Sequence, residues 1–106
     1  MFARVSTFEG GSPEQIEAGL ALVRRRVLPE LREIPGYCGV ISLVDQPTGK
    51  GITISFWESP EAMRRSESEG DRLRAQIASL EGQRVGTVER FEVKALELKS
   101  HVMLDA

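Results

Sequence analysis

The sequence predicts an α+β domain of the ferredoxin-like type, with a βαββαβ order, a four-stranded antiparallel sheet and two helices on one face. Runs of β-branched and aromatic residues alternate with two capped, amphipathic helices. The 106 residues leave room for one hydrophobic core, and 41% hydrophobic with 28% charged residues is typical of a folded chain. We expect residues 1–98 to form the domain and residues 99–106 a C-terminal tail.

Local signals mark the first strand and the first helix. Residues 2–8 are rich in Phe, Val and Thr and lead into a Gly-Gly turn. Ser12, Pro13 and Gln15 supply an N-cap, a first-turn proline and a capping-box partner. Pro29 lacks an amide donor and predicts a kink or a restart of the helix. Apolar residues recur along one helix face at Ile16, Leu20, Val23, Val27 and Leu31.

The remaining elements carry similar signals. Residues 37–45 and 52–57 are apolar runs joined by a Gly/Pro loop, which predicts a hairpin. Ser59 and Pro60 begin a second capped helix. The stretch 84–98 mixes Val, Phe and Leu with charges and predicts a fourth strand. The inward stripe of the second helix is Met63, Ser66, Gly70, Leu73, Ile77 and Leu80.

The second strand is apolar on both sides. Ile41 and Leu43 alternate with Val40 and Val44, whereas a sheet with one wet face alternates apolar and polar residues. Two helices cover only one face of a sheet. We therefore expect a second copy of the chain to cover the other face and form a homodimer.

Composition argues against several classes of protein. Fourteen Lys and Arg against 16 Asp and Glu give a net charge of -2, without the basic footprint of a nucleic-acid-binding protein. One Cys and one His exclude an intrachain disulfide framework and a His-rich metal site within one chain. The N-terminus lacks a leader-like pattern and no apolar run reaches membrane length, so we expect a cytoplasmic protein without a membrane partner.

Several motifs resemble, in their order and spacing, the antibiotic-biosynthesis-monooxygenase-like members of the dimeric α+β barrel superfamily. The resemblance covers residues 2–95 and implies two ferredoxin-like subunits packed sheet against sheet. It also implies a ligand pocket between the helices and the sheet of each subunit. The motifs are Ala3-Arg4-Val5, Ser12-Pro13-Glu14, Pro35-Gly36-Tyr37 and Ile54-Ser55-Phe56-Trp57-Glu58-Ser59-Pro60-Glu61-Ala62.

The resemblance argues against haem. In haem-degrading members of the superfamily a catalytic tryptophan and an axial histidine fall at positions occupied here by Ser66 and, approximately, Gln76. Their first-strand asparagine falls at about Arg4. Both essential side chains are replaced, so haem binding by this pattern is not expected.

Arg4 is the candidate catalytic residue. A guanidinium within an apolar strand needs an anion or several hydrogen-bond acceptors. Its planar fork could stabilise a phenolate, a carboxylate or an oxyanion. The structural alternative is a salt bridge to Glu89, Glu92 or another carboxylate of the fourth strand, or an edge position that reaches solvent.

Six residues are candidates for substrate binding. Trp57 could stack on an aromatic ligand, or it could pack in the core or at the dimer interface. Ser66 and Gly70 interrupt the apolar helix face and either leave volume for a ligand or permit close helix-to-sheet packing. The candidate pocket walls are Tyr37, Phe56 and Met63. Two further residues are expected to be inert: Cys38 as a small buried hydrophobe and His101 as a solvated tail residue.

Two function hypotheses follow. The first is a cofactor-independent monooxygenase acting on a small aromatic or polyketide-like substrate, whose own carbanion or phenolate reduces dioxygen. Arg4 would stabilise that anion and Trp57 would form a pocket wall, while the sequence offers no general base. The alternative is a non-catalytic dimeric α+β barrel module that binds a small hydrophobic or aromatic ligand or is associated with stress.

Overall fold

The computed structural model describes residues 1–99, which form one antiparallel sheet with helices packed on one face. The predicted ferredoxin-like fold class is confirmed. The tail residue His101 lies outside the described residues. The sheet has the order β2-β3-β1-β4 and consists of β1 (Phe2–Glu9), β2 (Tyr37–Asp45), β3 (Lys50–Trp57) and β4 (Arg84–Glu92).

The first helical region is continuous in space but changes its winding. Helix α1 (Pro13–Leu22) is followed by a π turn (Val23–Val27) and by α2 (Leu28–Arg32). Pro29 has no amide hydrogen to donate to Arg25, and its ring crowds that carbonyl. The wider π turn contains Arg25 and ends two residues before this proline, and it relieves the conflict. The interruption predicted at Pro29 is therefore present as a change of helix type.

The second helical region differs from the single helix that its sequence predicts. It consists of α3 (Pro60–Arg65) and α4 (Glu67–Glu81), which meet at Ser66. Ser66 has φ -84° and ψ 0°, and its amide donates to the carbonyls of both Ala62 (3.1 Å) and Met63 (3.2 Å). Helix α4 ends at Gly82, whose φ of 66° is the left-handed conformation that favours glycine.

Cross-strand register divides the sheet into two faces. Arg4 pairs with Ser55 on β3 and reaches α3, so alternate residues of β1 face the helices. The packed interior beneath the helices is built around Val23, Val27 and Leu73. The apolar side chains that complete it are Leu31, Ile34, Ile77 and Leu80.

The opposite face of the sheet is largely apolar, and none of the helices described between residues 1 and 99 covers it. Ile41, Ile54 and Val5 lie side by side on it across three strands. Leu43 and Phe91 on the same face are 49% and 52% exposed. This face carries one of the two predicted apolar sides of β2, that of Ile41 and Leu43, and is named here the open face; the other side of β2 carries Ser42 between Val40 and Val44. Its defining residues are Val5, Ile41, Leu43, Ile52, Ile54, Phe56 and Phe91.

Candidate functional site

Arg4 lies between the sheet and the second helical region and is only 2% exposed. Its Nη2 donates hydrogen bonds to the Met63 carbonyl (2.7 Å), Ser66 Oγ (2.8 Å) and Glu67 Oε1 (3.0 Å). The expectation of a carboxylate from the fourth strand is wrong, since Glu67 belongs to α4. Strand pairing explains the difference for Glu89, whose register partner Val5 points to the open face.

The Nε–H of the Arg4 guanidinium is not paired within residues 1–99. Its Nε is buried and lacks a hydrogen-bond acceptor among the described residues. The Trp57 ring lies 5.4 Å from Arg4 Cζ, within the range of a cation–π contact. Burial lowers the pKa of Arg4, and the charge of Glu67 opposes that effect. A buried, unpaired N–H beside an aromatic ring is a feature that an anionic ligand could satisfy.

Gly70 makes room for this guanidinium. A Cβ at position 70 would lie 2.7 Å from Arg4 Nη1 and 3.2 Å from Arg74 Nη1. The volume that glycine provides is therefore filled by two arginine side chains in this structure.

Three arginines and two carboxylates form what we call the arginine cluster: Arg4, Arg74, Arg90, Glu67 and Asp71. Arg90 donates from Nη2 to Glu67 Oε2 (2.6 Å) and from Nε to Oε1 (2.9 Å). These bonds, with the nearby charge of Arg4, lower the pKa of Glu67 to about 2. Arg74 is 7% exposed and pairs with the exposed Asp71. The cluster carries more positive than negative groups, which favours an anion nearby.

Trp57 is 1% exposed and lies in the core beside Arg4. Its indole Nε1 donates to Ser55 Oγ at 2.9 Å. The half-buried Tyr37 ring meets it edge-on, with centroids 6.1 Å apart and an interplanar angle of 75°. Burial raises the pKa of the Tyr37 phenol. The structure thus brings Trp57, Tyr37 and Arg4 together on the helix-facing side of the sheet.

The other candidates divide between two places. Met63 and Ser66 contact Arg4, and Ser66 Oγ also donates to the Met63 carbonyl at 2.7 Å. Phe56 pairs with Ala3 and lies on the open face, so it is not brought together with Tyr37 and Met63 within one chain. Cys38 is exposed, and the expectation that it is buried is wrong.

A row of hydroxyl groups crosses the helix-facing side of the sheet and was not predicted from the sequence. Ser42, Thr53 and Ser6 are register partners on three adjacent strands, and Ser55 lies two residues further along β3. All face the helices, where apolar residues are the rule. The recurrence of Ser and Thr at alternate positions within apolar strands is the signal that could have found this row.

Two buried charges on α4 were also missed. The sequence alone predicts that Arg74 and Glu81 lie on the solvent-exposed surface of the helix, because ionisable residues are rarely buried. Glu81 is only 5% exposed, and burial raises the pKa of its carboxyl to about 7. The glycine at position 19, which lets α1 approach α4 closely, is the sequence signal that could have indicated a buried neighbour.

Two cavities adjoin these residues. An open groove of about 520 Å³ runs between α2 and α3 and reaches Ala62 and Ser66. A slot of about 10 Å³ lies between the sheet and the two long helices and is lined by Glu81. Half of the residues that line the groove are charged: Glu30, Glu33, Arg65 and Glu69.

Between residues 1 and 99, no three His, Cys, Asp or Glu side chains are grouped so that they could hold a metal ion. No helix in that range is both long and apolar enough to cross a membrane.

Sequence comparison finds relatives of unassigned function. No family model matches the chain. It is 38% identical over 98 residues to Rv2557, an uncharacterised protein of Mycobacterium tuberculosis, and the match covers 91% of this chain and 42% of that protein. It is 46% identical over 66 residues to Rv2558 of the same organism, covering 62% of this chain and 28% of that protein. The chain therefore spans less than half the length of these relatives.

Solved structures share the fold at low sequence identity. A Streptomyces coelicolor monooxygenase, ActVA-Orf6, in complex with nanaomycin D has a TM-score of 0.69 and 21% identity over 93% of this chain and 92% of that one. SnoaB, a cofactor-independent oxygenase of Streptomyces nogalater, has a TM-score of 0.63 and 17% identity over 90% and 94%. A dimeric ferredoxin-like protein from an uncultured marine organism has a TM-score of 0.67 and 12% identity over 93% and 100%. The resemblance to antibiotic-biosynthesis-monooxygenase-like proteins is confirmed as a shared fold.

Proposed function

We propose that residues 1–98 form a cofactor-independent oxygenase domain that acts on a flat, weakly acidic aromatic compound. The observation that carries the proposal is the buried Arg4 guanidinium, whose Nε lacks an acceptor among residues 1–99 and whose Cζ lies 5.4 Å from the Trp57 ring. The groove of about 520 Å³ reaches Ser66, which is hydrogen-bonded to Arg4. Such a volume is in the range of small-molecule pockets.

The chemistry needs an electron-rich anion and a site that stabilises it. A guanidinium in a dry setting favours the ionised form of a bound phenol and lowers its pKa. The substrate anion then supplies the electrons that reduce dioxygen. For an activated methylene group, the two hydrogens leave with one oxygen atom as water, and the other oxygen atom becomes a carbonyl oxygen on the carbon. The protein binds the anion and stabilises it through the buried Arg4 guanidinium.

The comparisons support the class of reaction only through the fold. The structures named above as a monooxygenase and a cofactor-independent oxygenase are 21% and 17% identical to this chain, and one fold hosts many activities. The substrate class therefore rests on Arg4 and Trp57, and the absence of a cofactor from the reaction remains part of the proposal.

Homodimerisation is part of the same proposal. The open face presents Leu43 and Phe91 half-exposed beside Ile54, an arrangement that a monomer rarely leaves in water. A second copy placed sheet to sheet would cover it. A similar fold in the marine protein is described as dimeric.

A second candidate function is a non-catalytic dimeric module that binds a small hydrophobic or aromatic ligand. A specific observation favours it: Arg4 Nη2 already has acceptors in Met63, Ser66 and Glu67. The glutamates at the rim of the groove also repel anions. In that case ligands bind without being oxidised.

Oxygen uptake by metal-free protein with a panel of hydroxyanthrones and hydroxyquinones tests the proposal. We expect uptake above a protein-free blank, a large loss in Arg4→Ala and partial recovery in Arg4→Lys, because lysine keeps the charge and loses the planar fork. Arg84→Ala is the matched control, since Arg84 is exposed and pairs with Glu9 on the sheet edge. Uptake equal to the blank, with saturable binding of the same compounds, would favour the binding module.

A further inference from the structure

The slot lined by Glu81 is a second candidate site, distinct from the arginine cluster. It lies where α1, α4 and the helix-facing side of the sheet meet, and its volume is about 10 Å³. Its apolar walls include Phe8, Leu20 and Ile77, and its polar lining includes Ser42, Thr53 and Gln83. Glu81 itself is 5% exposed.

Hydrogen-bond acceptors line the slot, and none of its lining residues within 1–99 is cationic. Glu81 is the only charged residue that lines it, and no hydrogen bond to the Glu81 carboxylate is found within residues 1–99. Gln83 donates its Nε2 hydrogen to the Gly49 carbonyl at 2.8 Å, which leaves its Oε1 as an acceptor. The hydroxyl oxygens of Ser42 and Thr53 are further acceptors. Glu81 is 5% exposed as a residue, and its carboxylate oxygens are not among the fully buried atoms that lack a partner, so they keep some contact with solvent. A carboxylate that is poorly solvated in this way attracts a donor of opposite charge.

We propose that this slot binds the head group of a small primary ammonium ion, with Glu81 as its counter-ion. A primary ammonium carries three donors and a positive charge, which complements an acceptor-rich carboxylate slot. The volume suits one group of about the size of a water molecule. The carbons of the ligand would follow Leu20, which is half-buried, towards the exposed Ser42 on β2. This inference does not depend on the oxygenase proposal.

Binding should be linked to a proton. Burial raises the pKa of Glu81 to about 7, because it disfavours the charged carboxylate. An ammonium ion beside the carboxyl would favour the carboxylate, so a protonated Glu81 would release its proton to solvent when the ligand binds. The other lining side chains, from β1, β2, β3 and α1, are uncharged and do not compete for this role.

Calorimetric titration with n-butylammonium, in two buffers of different ionisation enthalpy at neutral pH, tests the proposal. Glu81→Gln should weaken binding by about tenfold or more, because a charge-assisted hydrogen bond is lost. Gly51→Ala should weaken it similarly by filling the slot, since a Cβ there would lie 3.5 Å from Gln83 Nε2 and 3.6 Å from Phe8 Cβ, both ordinary contacts. Glu17→Gln, on the exposed surface of α1, is the matched control and should leave binding unchanged.

The pattern of binding among these variants supports or overturns the ammonium site. Binding to the wild type with proton release, lost in Glu81→Gln and Gly51→Ala but kept in Glu17→Gln, supports the site. No binding to the wild type overturns it, as does affinity for n-butanol equal to that for n-butylammonium. Loss in Glu81→Gln alone would place the ammonium ion outside the slot, and loss in Gly51→Ala alone would indicate apolar uptake without Glu81; either result overturns the proposal.

Discussion

The proposed function rests mainly on individual side chains in the interior of the domain. Arg4 was identifiable from the sequence, because a charged residue stands out within an apolar strand. Its partner Glu67 was not, because a helix position facing the sheet cannot be assigned without knowing the break at Ser66. Trp57 was likewise identifiable as a large buried aromatic, whereas the burial of Arg74 and Glu81 depends on how closely α4 approaches its neighbours.

Trp57→Ala should destabilise the fold by about 3–5 kcal/mol, as loss of a buried large aromatic side chain typically does. The indole is 1% exposed and its Nε1 is bonded to Ser55. Denaturant midpoints measure the effect, and Trp57→Phe should lose less than Trp57→Ala. A midpoint for Trp57→Ala that matches the wild type would contradict a packing role and favour a ligand platform.

Glu81 should make the protein less stable as the pH rises through neutrality. Its pKa is raised from 4.5 to about 7 in the folded state, so its contribution is greatest below the unfolded value and is lost as the pH rises through the folded value. Glu81→Gln should therefore gain about 1–3 kcal/mol relative to the wild type at about pH 8. Unfolding curves across that range measure it, and parallel pH profiles for the two proteins would count against a buried carboxyl.

Glu67 should act in the opposite direction at low pH. Its pKa is lowered from 4.5 to about 2 by Arg90 and Arg4, so its contribution is present above the unfolded value and is lost as the pH falls towards the folded one. The stability contributed by Glu67 falls at low pH, and the stability contributed by Glu81 falls above about pH 5. Together the two residues predict that the protein is most stable near about pH 5. In a Glu67→Gln variant, unfolding curves should no longer show the fall in stability at low pH, while the fall above about pH 5 should remain.

The helices and strands show what local sequence can and cannot predict. Capping at Ser12 and the interruption near Pro29 follow from chemistry within one helical turn, and both are present. The break between α3 and α4 could not be predicted locally, since Ser66 is held by a hydrogen bond from Arg4 on β1. Which β-strand residues face the helices follows from alternation. Alternation also places the row of hydroxyl groups on the helix-facing side of the sheet, although apolar residues are expected on that side.

The crossing of α1 and α4 should be intolerant of a methyl group at position 19. A Cβ on Gly19 would lie 2.6 Å from the Leu80 carbonyl oxygen and 2.5 Å from Glu81 Cγ. Because backbone cannot give way cheaply, Gly19→Ala should destabilise by about 1–3 kcal/mol or more despite its better helix propensity. Gly51→Ala is the control, with ordinary contacts and no expected loss. Equal thermal midpoints for the two variants would show that the helices are not closely packed here.

At the scale of the whole molecule, the open face determines assembly. Ile54 lies at its centre, paired with Val5 and Ile41 on either side. We expect the wild type to sediment at twice the 11.7 kDa chain mass, and Ile54→Asp to sediment as a monomer because a buried, unpaired charge is strongly unfavourable. Ala75→Asp, on the exposed surface of α4, should remain dimeric. A wild-type monomer at micromolar concentration would contradict the homodimer.

The most direct measurement for cofactor-free oxygenation uses heavy-isotope dioxygen with metal-free protein and a hydroxyanthrone. Mass spectrometry of the product should show one labelled oxygen atom, incorporated faster than in a protein-free blank. Incorporation by Arg4→Ala should be much slower than by the wild type, because the variant lacks the guanidinium that stabilises the reacting anion. Incorporation no faster than the blank, or an oxygen atom that comes from water, would contradict the proposed oxygenase.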